Sequence, residues 1–327
     1  MLHTYIFAPF VQPPTSFFDM YHSVVTAIVG TFLATTGTQP YPHTDCLSVP
    51  NQPITPTPPP LYPDTAVSRL YGAMGVDIHN AASAQNALPA VLDYRRSDGV
   101  VTPVKDQGGC GSCWAFSSAE SIEGQLGLNG HLMNVSAQNF VDCVKLDYGC
   151  GGGWMDDALA YAESHGVETE NDYPYNGTTQ PCMADPSKAT IHPTAYINVA
   201  KTNHGLKAAL LTFGPVSIAL DATNAFMAYA PNASHQVFTD DTCDPTMPDH
   251  ALLLVGYNDH AGYWIVKNSW NTGWGLDGYI YVNSTVPNMC GIASFATVPY
   301  IAPASVTEEK ARVCAHLAAA GGEGMCI

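Results

Sequence analysis

The chain has 327 residues, enough for one large or two medium domains, and 46% of them are hydrophobic, which supports a sizeable core. Its formal net charge is −17, from 28 acidic against 11 basic side chains. So acidic a surface repels phosphate backbones and anionic lipid, which excludes nucleic acid and membrane surfaces as partners.

The N-terminal part is expected to be a targeting and linking region. Val24 to Thr35 is an uncharged apolar run of about twelve residues, too short to span a bilayer and suited to a signal-peptide core. This assigns 1–37 to a signal region, although the usual preceding basic residues are missing; Met20, just upstream, is an alternative true start. Gln39 to Pro63 is Pro-rich and reads as an extended linker. Asp64 then caps a short apolar stripe at Val67, Leu70, Tyr71 and Met74 with helical spacing. Residues 38–87 thus form a linker followed by one short helix.

From Leu88 the character changes. Val100–Lys105 reads as extended. Helical patterns follow at Trp114–Leu126, Ser136–Cys143 and Met155–His165, with Gly127 and Gly166 in C-cap positions, and a shorter one at Leu206–Phe213. Beyond Gly214 come β-branched and aromatic runs at Val216–Leu220, His250–Tyr257, Tyr263–Lys267, Tyr279–Val282 and Ala296–Tyr300. Helices first and strands later predict an α+β fold, a helical lobe packed on a strand-rich lobe with a cleft between them. The tail, 302–327, opens with a capping box at Ser305 and Glu308 and is a C-terminal extension with helical character. Ten cysteines and four sequons, at Asn134, Asn176, Asn232 and Asn283, favour the secretory route.

The chemistry concentrates in Gln107-Gly-Gly-Cys-Gly-Ser-Cys-Trp-Ala-Phe116. Cys113 stands where a helix begins, and the positive end of a helix dipole favours the thiolate. Cys110 and Cys113 also form a C-x-x-C, so redox, metal and purely structural roles stand beside the nucleophilic one. A zinc site lacks a second C-x-x-C or a spaced His pair. A cysteine nucleophile needs a base, and His250 stands at the start of an apolar strand. Asn268, in Lys-Asn-Ser-Trp, offers an oxygen to orient an imidazole. They lie 137 and 155 residues after Cys113.

With these blocks in order, the chain resembles the papain and cathepsin cysteine proteases, cathepsin L-like endopeptidases in particular, over about Leu88 to Ile301. The resemblance implies a papain-like two-lobed fold for 88–301 and a prosegment-like role for the short helix of 38–87. It implies Cys113, His250, Asn268 and Gln107 as catalytic residues, with Gln107 and the Cys113 N–H as the oxyanion hole. Gly111, Gly152, Gly153, Trp154, Met155, Ala219, Asp249, Ala251, Trp270 and Phe295 are implied to line the substrate site. It also implies bridges Cys110–Cys150, Cys143–Cys182 and Cys243–Cys290. Cys113 is left unpaired by that scheme, as are Cys46, Cys314 and Cys326. The implied activity needs no metal or organic cofactor and acts on proteins or peptides. A monomer in the secretory pathway, secreted or lysosome-like, is expected, with no membrane insertion in the mature form. The alternatives are a thiol–disulfide oxidoreductase using Cys110 and Cys113, and an inactive binding protein on the same fold.

Overall fold

The computed structural model describes residues 88–232 and 236–301, all within one unit, Tyr41–Ile327. The expected signal region, linker, prosegment-like helix and C-terminal extension lie outside the described residues. The first lobe is built on helix α1, Cys113–Leu128, with α2, Ala137–Cys143, and α3, Met155–His165. Ser136 caps α2, its side chain accepting from the Asn139 N–H, which is why that helix starts where it does.

The second lobe is an eight-stranded sheet. Its strands are β1 (Val91–Asp93), β2 (Ala195–Asn198), β3 (Val216–Leu220), β4 (Val237–Phe238), β5 (His250–Asn258), β6 (Tyr263–Lys267), β7 (Tyr279–Asn283) and β8 (Phe295–Tyr300). They run in the order β2-β8-β3-β5-β6-β7-β4, with β1 paired to β5, and only the β4–β7 pair is parallel. Helices α4, Asn203–Phe213, and α5, Asn224–Met227, complete this lobe. Two apolar clusters correspond to the lobes. One gathers around Trp114, Phe140 and Leu159, the other around Leu254, Trp264 and Ile280.

Helix α1 passes between them and is buried from Cys113 to Gln125. A buried helix needs partners for its polar side chains. Ser117 Oγ donates to Leu252 O at 2.6 Å, Ser121 Oγ to Pro215 O at 2.8 Å and Gln125 Nε2 to Phe213 O at 2.6 Å. These bonds tie the first lobe to the strands that carry the rest of the site.

One expectation is corrected. Gly127 does not end α1, which runs on to Leu128; a Cβ at Gly127 would lie 2.2 Å from Gly99 O, so the glycine serves a close approach of two backbones. Val100–Lys105, read as extended, joins no sheet ladder, and Asp106 after it forms an isolated bridge to Trp270. Among the described residues no helix is long and apolar enough to cross a membrane.

Candidate active site

Cys113 is the first residue of α1 and is fully buried. Its Sγ accepts the Ala251 N–H at 3.1 Å, which sets the sulfur against the start of β5, beside His250. The His250 Nε2 and Asn268 Oδ1 lie 2.8 Å apart. Asn268 follows the last residue of β6, so neighbouring strands hold both partners. The Trp270 indole stacks on the imidazole with centroids 4.5 Å apart. This arrangement commits Nε2 to the amide oxygen, so proton transfer by the ring would run through Nδ1. Burial, partly offset by the Asn268 hydrogen bond, lowers the His250 pKa to about 4.

Cys113 is disulfide-bonded here, which corrects the expectation that it stands unpaired. A sulfur in that state carries no negative charge to favour an imidazolium, and burial is the largest influence on the His250 pKa. Reduction to the thiolate must precede any nucleophilic role.

Gln107 is anchored on several sides. Its backbone N–H donates to Ser269 O at 2.9 Å, and its Oε1 accepts from Ser269 Oγ at 2.6 Å. One Nε2 hydrogen goes to Cys110 O at 2.9 Å. The second is the one an oxyanion would use.

Three bridges hold the surrounding loops: Cys110–Cys150, Cys143–Cys182 and Cys243–Cys290. The first ties the loop before α1 to the glycine-rich loop 149–153, and Gly111 N donates to Cys150 O at 3.0 Å beside it. Gly153 is squeezed between Asp147 and the Trp114 ring, where a Cβ would meet atoms at 2.6 Å. Only glycine fits that wall.

Trp154, Met155, Ala219, Ala251 and Phe295 are brought together. In register, Ala219 sits between Ala251 on one side and Phe295 on the other. The Trp154 and Phe295 rings are 5.3 Å apart, and Lys201 Nζ stands 4.9 Å from the centre of the Phe295 ring. Asp249 has a different place: its Oδ1 accepts the Ala222 N–H at 2.7 Å and its own N–H donates to Leu220 O, which fixes the entry to β5.

The model for the papain family cysteine proteases matches residues 88–300. The chain belongs to that family.

Curated papain-family relatives include cathepsin K of Gallus gallus, 43% identical over 64% of this chain and 64% of its own, and of Mus musculus, 41% identical over 66% of each. Digestive cysteine proteinase 2 of Homarus americanus is 41% identical over 63% of this chain and 65% of its own. The match thus spans just under two thirds of these relatives' length. Among solved structures, digestive procathepsin L 3 of Tenebrio molitor larval midgut superposes with TM-score 0.62 at 39% identity, covering 65% of this chain and 70% of its own. Digestive procathepsin L2 of the same source gives 0.67 at 32%, covering 87% and 90%.

Sequence reasoning passed over Ser269 and Asp147. Ser269 adjoins Asn268 in the same block, a signal that was available. Asp147 lies in a loop, and its burial is a tertiary effect. Its Oδ1 accepts the Trp154 N–H at 3.1 Å, so it caps α3 from seven residues away. Burial, then the Asp157 and Asp156 charges, raise its pKa to about 8 against the Trp154 hydrogen bond. A carboxyl raised above its unfolded value stabilises the fold at low pH, and that stabilisation is lost as pH rises from about 4 to about 8. Asp147→Asn keeps the cap and removes the charge. It is expected to match the wild type in thermal unfolding at pH 4 and to gain about 1–3 kcal/mol at pH 8. Equal curves at both pH values would contradict this.

Proposed function

We propose that residues 88–301 form a cysteine endopeptidase domain. The observation that carries this reading is the His250–Asn268 pair at 2.8 Å beside Cys113, whose Sγ takes the Ala251 N–H at the N-terminus of a buried helix. After reduction, the Cys113 thiolate attacks a peptide carbonyl, with Gln107 Nε2–H and the Cys113 N–H on the developing oxyanion. The imidazolium gives its proton to the leaving amine as the C–N bond breaks. Water, deprotonated by His250, then attacks the thioester and returns the thiol. Trp270 covers the His250–Asn268 pair, and Gly111, Gly152 and Gly153 leave room for extended substrate backbone.

The residue two before the scissile bond would enter the pocket of Trp154, Met155, Ala219, Ala251 and Phe295. Phe295 at its floor favours a medium aliphatic side chain, and the Lys201 ammonium beside that ring disfavours Arg. In a fluorogenic dipeptide panel, Leu or Val at that position is expected to exceed Arg by about tenfold or more in kcat/KM. Arg ahead of both would overturn the pocket assignment.

The disulfides support a place in the secretory pathway, secreted or lysosome-like, and we take the working form as a monomer acting on proteins or peptides. The oxidoreductase reading is weakened because Cys110 is bridged to Cys150 rather than to Cys113. An inactive binder would not need the Cys113, His250 and Asn268 set complete. The test is peptidase activity of thiol-reduced protein against Cys113→Ala. Activity lost in the variant supports the reading, and equal activity in both ends it.

A further inference from the structure

Tyr175 bonds to the Gln107 backbone and to Ser112, one on each side of the proposed oxyanion hole. Its hydroxyl donates to the Gln107 backbone oxygen at 2.7 Å and lies 2.7 Å from Ser112 Oγ. Gln107 carries the side-chain donor of the hole, and Ser112 immediately precedes Cys113, which supplies the backbone donor. A tyrosine hydroxyl has a single hydrogen, so with that hydrogen on Gln107 the Ser112 hydroxyl is the donor to Tyr175, and the three residues form one directed chain.

Ser112 makes this arrangement unusual. It is the N-cap of α1, and a serine there ordinarily turns its hydroxyl onto an N–H of the first helical turn. Here it makes no side-chain cap hydrogen bond and is given to Tyr175 instead. A cap hydroxyl diverted in this way does not compete with a substrate oxygen for the N–H groups at the head of α1.

Tyr175 is itself held firmly. Its N–H donates to Glu170 Oε1 at 2.8 Å, the next residue's N–H to Gln138 Oε1 at 3.0 Å, and its ring meets Phe116, one turn along α1, edge-on at 4.7 Å. On the opposite side, Gln107 is held by Ser269 from the sheet lobe. Burial pushes the Tyr175 hydroxyl up to about 12, so it stays a proton donor across the working range.

We propose that Tyr175 is a positioning residue that sets the spacing between the Gln107 and Cys113 donors of the oxyanion hole. It acts through Gln107 and Ser112 and does not touch substrate. This inference rests on the endopeptidase reading above.

Tyr175→Phe keeps the ring on Phe116 and removes only the hydroxyl. With a fluorogenic peptide, kcat is expected to fall about tenfold with KM within about twofold, because the loss is felt only where charge develops on the oxygen. Affinity for a peptide aldehyde, whose thiol adduct places an oxygen in the hole, is expected to fall by a similar factor. In a Gln107→Ala background the same change is expected to cost less than about twofold, since the pair acts as a unit. An unchanged kcat in Tyr175→Phe, or a full tenfold loss that persists without Gln107, overturns the inference and leaves the peptidase reading intact. Wild-type protein without peptidase activity overturns both.

Discussion

His250→Ala is expected to lower kcat/KM by about 10³-fold or more, since removing one member of a nucleophile–base set removes most of what the set does. The geometry explains the size of the effect. His250 is buried, with Nε2 held by Asn268 Oδ1 at 2.8 Å and its face stacked on Trp270. No exposed histidine could take over its place at the start of β5. The loss should appear in both acylation and release, because the same imidazole must give a proton to the amine and later take one from water. Steady-state and single-turnover rates on a fluorogenic peptide check it. A variant within about tenfold of the wild type would show that another group is the base. Reduction of Cys113 should also raise the His250 pKa from its value of about 4, because a thiolate beside the ring favours the imidazolium that burial alone disfavours.

The second large effect concerns stability. Lys267, the last residue of β6, has a fully buried side chain, and its Nζ meets Glu120 Oε1 at 2.8 Å and Thr102 Oγ1 at 3.2 Å. Thr102 in turn donates to Glu123 Oε2 at 2.6 Å, and Glu123 also pairs with Lys105 and takes the Val135 N–H at 2.7 Å. These groups form a buried ionic network that joins α1 to the sheet directly behind Asn268. Burial drives the Glu120 carboxyl upward, while Lys267 and Lys105 pull it back. Glu120→Ala strands the Lys267 ammonium with one neutral partner, and such a loss costs about 3–5 kcal/mol. For a domain of this size that is a fall in Tm of roughly 10 °C. Replacing both members with apolar side chains of similar volume, Glu120→Leu with Lys267→Met, should recover most of the loss, because no buried charge then lacks a partner. Thermal unfolding of the single and double variants decides the matter. A single variant within about 1 kcal/mol of the wild type would mean that water reaches the pair.

Much of this was legible in the sequence, for reasons that can be named. Helices α2 and α3 and strands β3, β5, β6, β7 and β8 carry strong periodicity or β-branched runs, and their bounds fall within a residue or two of expectation. Short β1, β2 and β4 have too few residues to show a pattern. Gly127 misled because a glycine inside a helix and one after it look alike until the opposing Gly99 backbone is seen. The candidate residues Cys113, Gln107, His250 and Asn268 were read from their blocks, and the proposal that they act together rests on their contacts at the start of β5 and the end of β6. Lys267 was not, because a lysine in a strand reads as solvent-facing and its partner Glu120 lies 147 residues away. Tyr175 had no local signal either. What it does depends on a loop folding back onto residues 63 and 68 positions earlier, which no local pattern encodes. The oxidised state of Cys113 also had no local signal, since a cysteine at a helix start reads the same whether bonded or not.

The most direct test of the central claim is intact-protein and peptide mass spectrometry after thiol reduction and brief exposure to a peptidyl chloromethyl ketone with Leu at the second position. A single stoichiometric adduct on Cys113, absent from His250→Ala under the same exposure, is the predicted result. Adduct on Cys110 or spread over several cysteines, or equal labelling of Cys113 in the variant, would contradict it.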